Sequence, residues 1–214
     1  MVGLDVKKYV SEVSEKVKRK RKVSDFRYLL YALILLILVM FILSFFSVDT
    51  YSIMKNTTSH LGAQNTVNAW IMNVAFILVG ISCVLEAWLH LRKYWFHKII
   101  LSIFGLALIF TGVFRHAPII EGVIFNPMED KLHSIFATIV GFSFTIYAVS
   151  SAFIEKATKH RVIDIIVGFI ATTLSMLMLL LPGYSGIWQR SMFIISFVWL
   201  TFMLERIKDF NKTV

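Results

Sequence analysis

The sequence predicts an all-α fold: a polytopic membrane protein built as a bundle of six transmembrane helices, with both termini cytoplasmic. Three observations carry that prediction. The 214 residues are 57% hydrophobic and 16% charged, with a mean hydropathy of +0.74, whereas a soluble domain carries about 45–50% apolar and about 25% charged residues. The apolar residues gather in six runs, near 28–47, 67–91, 98–115, 133–154, 162–182 and 190–207, each close to the roughly 20 residues that cross a bilayer as a helix. The basic residues, finally, fall mostly on one set of connections. With 10 Gly, 3 Pro and a single cysteine, Cys83, the chain is neither collagen-like, disordered nor stapled by an intrachain disulfide.

The first element is a basic amphipathic cytoplasmic arm over 1–27. Val2, Val6, Val10, Val13 and Val17 recur at helical spacing beside Tyr9, and Lys18-Arg19-Lys20-Arg21-Lys22 follows. Such an arm suits the anionic inner leaflet, each basic residue contributing about 1 kcal/mol near that surface. The plainer alternative is a solvated arm whose charges only fix topology. The first run reads as a retained signal anchor, because Ser44-Phe45-Phe46-Ser47 offers no small-x-small cleavage pattern. The six runs are joined by short connections, so 28–207 forms one transmembrane domain and 208–214 a cytoplasmic tail. No repeat or low-complexity linker interrupts it.

Charge placement orients the bundle. Of 22 Lys and Arg, 9 lie in 1–27, and Arg92, Lys93, Lys98, Lys156, Lys159, Arg161, Arg206, Lys208 and Lys212 share their side. The other side keeps only Lys55, Arg115, Lys131 and Arg190. The positive-inside rule then puts the termini in the cytoplasm of a cell-membrane protein. The net charge of +9 is topogenic, and nucleic-acid binding is a poor reading because the basic residues form no folded face.

Polar chemistry collects on the outer side, in 47–65, 116–132 and 183–189. His60, His116 and His133 lie there with Asp49, Glu121, Glu129 and Asp130, joined by Ser59, Trp188, Gln189 and Arg190. On the second run, Asn65, Asn68 and Asn73 span an arc of about 140° at 100° per residue, with Gly80 inside it. Asparagine is costly in hydrocarbon. This face therefore lines a wet cavity or bonds a neighbouring helix. Near the other end, Glu86 and His90 stand i, i+4 within two turns of Arg92 and Lys93, and Asp164 stands one turn from Arg161; both carboxylates read as members of structural ion pairs with those cations.

Imidazoles and carboxylates are also the donors of zinc sites. His60, His116 and His133, with Asp130 or Glu129, form a metal set if the helix mouths converge, and zinc is the cofactor such a set implies. The spacing is weak evidence, since no H-x-x-H or H-E-x-x-H pattern occurs. Ser59 is a poor nucleophile for His60, because adjacent residues on a helix do not face each other.

Three stretches carry a resemblance. Ser59-His60-Leu61-Gly62-Ala63 precedes Trp70-Ile71-Met72-Asn73-Val74-Ala75-Phe76 and Gly80. Gly112-Val113-Phe114 precedes a loop closing on Leu132-His133. Gly186-Ile187-Trp188-Gln189-Arg190 precedes Trp199. Over about 30–207 the chain resembles bacterial and archaeal six-span proteins of domain of unknown function 998, and it is distantly similar to the eukaryotic Frag/DRAM/Sfk membrane proteins, some of them linked to lipid handling. The resemblance implies that His133 and Arg190 occupy family positions. At three others, where the family commonly has carboxylates, this chain has His60, Arg115-His116-Ala117 and Gln189, leaving Glu121, Glu129 and Asp130 as substitutes.

The expected function is binding of a lipid or amphiphile at the outer site, in aid of envelope lipid handling. Ser59, Asn65, Asn68, Asn73, His116, Glu129, Gln189 and Arg190 are the candidate ligand contacts, with Arg190 offering a fork-shaped donor to an anionic head group. The alternatives are a membrane-embedded lipid hydrolase or transferase using His133, His60 and Asp130, with or without zinc, a small transporter, and a purely structural partner protein. Membrane lipids are the expected partners, with a second copy of the chain as a further one.

Overall fold

The computed structural model describes residues 8–10, 13–14 and 27–213. The two short arm pieces are helical and exposed, whereas the Lys18–Lys22 run lies outside the described residues. Seven α-helices follow among the described residues. They are α1 (Tyr28–Ile42, extended by a 3-10 turn over Leu43–Phe46), the short α2 (Thr58–Leu61), α3 (Ala69–His90), α4 (Trp95–Val113), α5 (Pro127–Ser151), α6 (Thr158–Leu180) and α7 (Ser185–Thr213). All but α2 are long and apolar enough to cross a membrane. The protein is a multi-pass membrane protein. The helices form a ring in which α1 packs on α3, α3 on α4, α4 on α5, α5 on α6 and α6 on α7, with α7 returning to α1 and α3.

Leu36, Phe76, Leu108, Tyr147, Phe197 and Leu200 belong to the common core. Around it, Phe142, Phe153, Phe169 and Leu179 point outward, as expected where the solvent is lipid. Exposed Trp70 and Trp88 stand near the two ends of α3. Their separation of about 27 Å, at 1.5 Å per residue, suits interfacial anchors flanking a hydrocarbon layer about 30 Å thick. Lys98 Nζ lies 4.9 Å from the centre of the Trp88 ring.

Helix boundaries depart from the apolar runs where polar residues start a helix. The Asn126 side chain accepts hydrogen bonds from the N–H groups of Met128 (3.0 Å) and Glu129 (3.4 Å), and Pro127 takes the first turn. The helix thus begins at Pro127 rather than 133, which moves Glu129 and Asp130 out of a loop and onto the first turn of α5. Likewise α7 starts at Ser185, so Gln189 and Arg190 are helical, and it continues to Thr213.

The asparagine arc does not survive. The second span begins only at Ala69, and Asn65 (φ 58°) and Asn68 (φ 60°) take the left-handed conformation in the turns before it. Asparagine tolerates that conformation better than most residues. Both are exposed, and neither lies on the helix. Asn73 alone is helical and buried, and its Nδ2 donates to Gly62 O at 3.0 Å. Gly80 packs against the backbone of Gly105 on α4. The polar face is thus two turn residues and one helical residue rather than a single helical stripe.

Candidate functional site

The end of the bundle formed by the connections 47–68, 114–126 and 181–184 holds His60, His116 and His133. Each arrives there for a local reason. Thr57 and His60 close a capping box on α2, in which the Thr57 N–H donates to His60 Nδ1 at 3.1 Å and Thr57 Oγ1 lies 2.8 Å from the same nitrogen. His133 Nδ1 lies 2.8 Å from Phe114 O and 3.0 Å from Thr111 O. It therefore satisfies carbonyls that the end of α4 leaves open. His116 Nδ1 sits 2.5 Å from Asp130 Oδ1, and Asp130 also accepts from Ala117 N at 2.8 Å.

The three rings meet. His60 and His116 have centroids 4.8 Å apart, while His116 and His133 stack at 5.1 Å with planes 2° from parallel. Burial, with repulsion from His116 and His133 and against the pull of Asp130, lowers the pKa of His60 to about 4. The neutral ring, with Nδ1 accepting from Thr57, carries its proton on Nε2 and is a donor there. His133 has the opposite tautomer: its Nδ1 faces the carbonyls of Phe114 and Thr111 and donates there, so its Nε2 is a lone pair. His116 Nδ1 donates to the Asp130 carboxylate. His133 is only 4% exposed, whereas the His116 and Asp130 side chains are 27% and 29% exposed at the mouth.

Among the described residues no three His, Cys, Asp or Glu side chains are disposed to hold one ion. The stacked His116 and His133 rings lie in nearly parallel planes, so their ring nitrogens do not converge in plane on one centre. What the cluster offers is the His60 N–H, the His133 lone pair and the Asp130–His116 pair at a partly open mouth. The Arg115–Glu129 ion pair (Nε–Oε2 3.0 Å) stands at its rim.

Other expected contacts are spent on the fold. Arg190 is 3% exposed, and its Nη1 donates to Ile53 O, Asn56 O and Gly186 O, each at 3.0 Å, while Nη2 donates to the Tyr51 hydroxyl. Burial outweighs the nearby guanidinium and keeps the Tyr51 pKa raised, so its hydroxyl stays neutral. Gln189 Oε1 accepts from the N–H of Thr58 at 2.7 Å and from its hydroxyl at 2.6 Å. Ser59 is buried. Asn65 Nδ2 donates to Ile124 O at 3.0 Å, and exposed Asn68 stands apart in its turn.

Gln64 escaped the sequence reading. Its Nε2 donates to Arg115 O (3.1 Å) and Asn126 O (2.9 Å), and its Oε1 accepts from Asn126 N at 2.7 Å. One buried amide thus ties both ends of the α4–α5 connection. A lone glutamine between Ala63 and Asn65, just before an apolar run, was the only available signal.

A ring of six spans with a histidine–aspartate cluster at one end defines a small helical membrane protein with a polar site at its mouth. The family described as Protein of unknown function (DUF998) matches residues 31–204. The chain belongs to that family. No curated protein and no solved structure matches it.

Proposed function

We propose that this membrane protein binds the polar head group of a lipid or amphiphile at the cluster of His60, His116, His133 and Asp130, in aid of envelope lipid handling. One observation carries the reading: the Asp130–His116 pair is partly open at the mouth and backed by His133 and His60. Exposed apolar side chains, Val113 on α4 and Met128 on α5, stand at the adjoining helix ends. A head group there meets hydrogen-bonding partners of both kinds while its chains remain in hydrocarbon. The positive-inside distribution of Lys and Arg supports reading this end as the outer face of the cell membrane.

The test is retention of phosphatidylethanolamine and phosphatidylglycerol, supplied in mixed micelles and counted by native mass spectrometry. His116→Asn and Asp130→Asn each lower retention at least tenfold, and Lys156→Ala, in the connection between α5 and α6, leaves it unchanged. Equal retention in all three variants overturns the reading.

A second reading has its own observation. His116 turns Nδ1 to the Asp130 carboxylate, which leaves Nε2 as the ring nitrogen a general base would use. A hydrolase or transferase would use His116, held by Asp130, to activate water or an acceptor hydroxyl. Release of fatty acid from ester lipid by wild type, lost in His116→Asn, would favour this chemistry over binding alone.

A further inference from the structure

The connection between α4 and α5 differs in character from the site at its root. From Ala117 to Phe125 its only ionisable side chain is Glu121, amid Pro118, Ile119, Ile120, Val123 and Ile124. Its base is clamped by Gln64 at both ends, by Asp130 on Ala117 N, and by Asn65 on Ile124 O. Its tip is bare. Gly122 turns the chain at φ +78°, Ile124 is 94% exposed, and Ile120 and Phe125 are exposed beside it.

We propose that the 117–125 loop inserts Ile120, Ile124 and Phe125 into the lipid leaflet that borders the histidine end of the bundle. Two features identify lipid as the occupant. The loop's apolar surface continues the lipid-facing belt at the ends of the helices it joins, where Phe110 and Val113 on α4 and Met128 and Ile135 on α5 are exposed. Its charge pattern fits as well. Glu121 sits beside Gly122 at the turn and is left among the head groups while the flanking isoleucines enter the acyl boundary. The clamped root bears His116 and Asp130, so an inserted tip holds the head-group layer against them. Insertion rests on the chain's membrane architecture; what it adds to the proposed function is the source of the ligand, the adjoining leaflet.

The experiment places an environment-sensitive nitrobenzoxadiazole label on Ile124→Cys in phosphatidylcholine vesicles. Cys83 is fully buried and does not compete for the label. Lipid carrying a doxyl group at acyl carbon 5 is expected to quench the label at 124 severalfold more than aqueous iodide does. The same label on Glu121→Cys should show the reverse preference. Iodide quenching at 124 equal to that of free dye overturns insertion. A label protected from both quenchers overturns it too, because the loop is then covered by protein. These readouts locate the loop without any retained ligand, so they can fail independently of the His116 and Asp130 retention assay.

Discussion

His60 is neutral at pH 7 because burial and two neighbouring imidazoles hold its pKa at about 4, against 6.5 in an open chain. The unfolded chain therefore binds the proton first as pH falls. His60 contributes its full stability above pH 6.5 and loses it progressively toward pH 4. At about 1.4 kcal/mol per pH unit, the loss approaches roughly 3 kcal/mol. Glutamine at this position keeps the capping box with Thr57, since Gln is an ordinary partner there, and removes the titration. Thermal unfolding in detergent should show the wild type losing stability relative to His60→Gln between pH 6.5 and pH 4. Parallel pH profiles for the two proteins would show that His60 is not held neutral by the fold. Arg190 teaches a complementary lesson. An arginine at a helix mouth suits a head group by type, yet its contacts at Ile53 and Asn56 belong to a connection more than a hundred residues away in the chain. Residue type was legible in the sequence, and partner was not.

Among the helices, α3 and α4 approach most closely where side chains vanish. A Cβ on Gly105 would lie 2.6 Å from Gly80 O and 2.9 Å from Val84 Cγ2, so the contact exists because both helices carry glycine there. Gly141, on α5, has no atom within 4 Å of the place a Cβ would take. The same substitution should therefore have opposite signs at the two sites. Gly105→Ala should cost about 1–3 kcal/mol through overpacking. Gly141→Ala should be neutral or stabilise by up to about 1 kcal/mol through backbone entropy. Unfolding in one detergent checks both, and a shared sign would contradict the packing described. The six spans were legible because each is one long apolar run. Their ends were not, because Asn126-Pro127 and Ser185 start helices with residues that a hydropathy window excludes. The asparagine arc failed for a related reason. A helical period was extended across Asn65 and Asn68, where left-handed turns break it. Convergence of the three histidines was readable only as a condition on the helix mouths. Their tautomers depend on Thr57, Asp130 and Phe114, whose contacts the spacing does not specify.

Across the whole bundle, α7 closes the ring and is fastened at both ends. At the histidine end Gln189 and Arg190 hold the first connection. At the other, Lys208 Nζ meets Glu86 Oε2 of α3 at 3.0 Å, while Arg206 Nη2 reaches Glu155 Oε1 at 2.8 Å and Asp164 Oδ1 of α6 at 3.4 Å. Trp199 Nε1 donates to Asp164 Oδ1 at 2.8 Å. The sequence assigned Glu86 to Arg92 or Lys93 and Asp164 to Arg161, the nearest cations in the chain. The fold assigns both carboxylates to α7. Glu86 and Lys208 are almost wholly buried, and His90 Nδ1 at 2.8 Å and Glu205 at 3.1 Å complete the group. A buried pair is expensive to break from one side, because the remaining charge keeps its desolvation cost without its partner. Lys208→Met should therefore destabilise the protein by about 3–5 kcal/mol, less whatever His90 recovers for Glu86. Glu86→Gln should be milder, since Lys208 retains Glu205. The double variant strands neither charge and should be more stable than the sum of the single losses predicts, with a coupling of about 1–3 kcal/mol. A double-mutant cycle on unfolding in detergent measures that coupling. Additive losses would mean that Glu86 and Lys208 do not stabilise each other and that this pair contributes nothing to fastening α7 to α3.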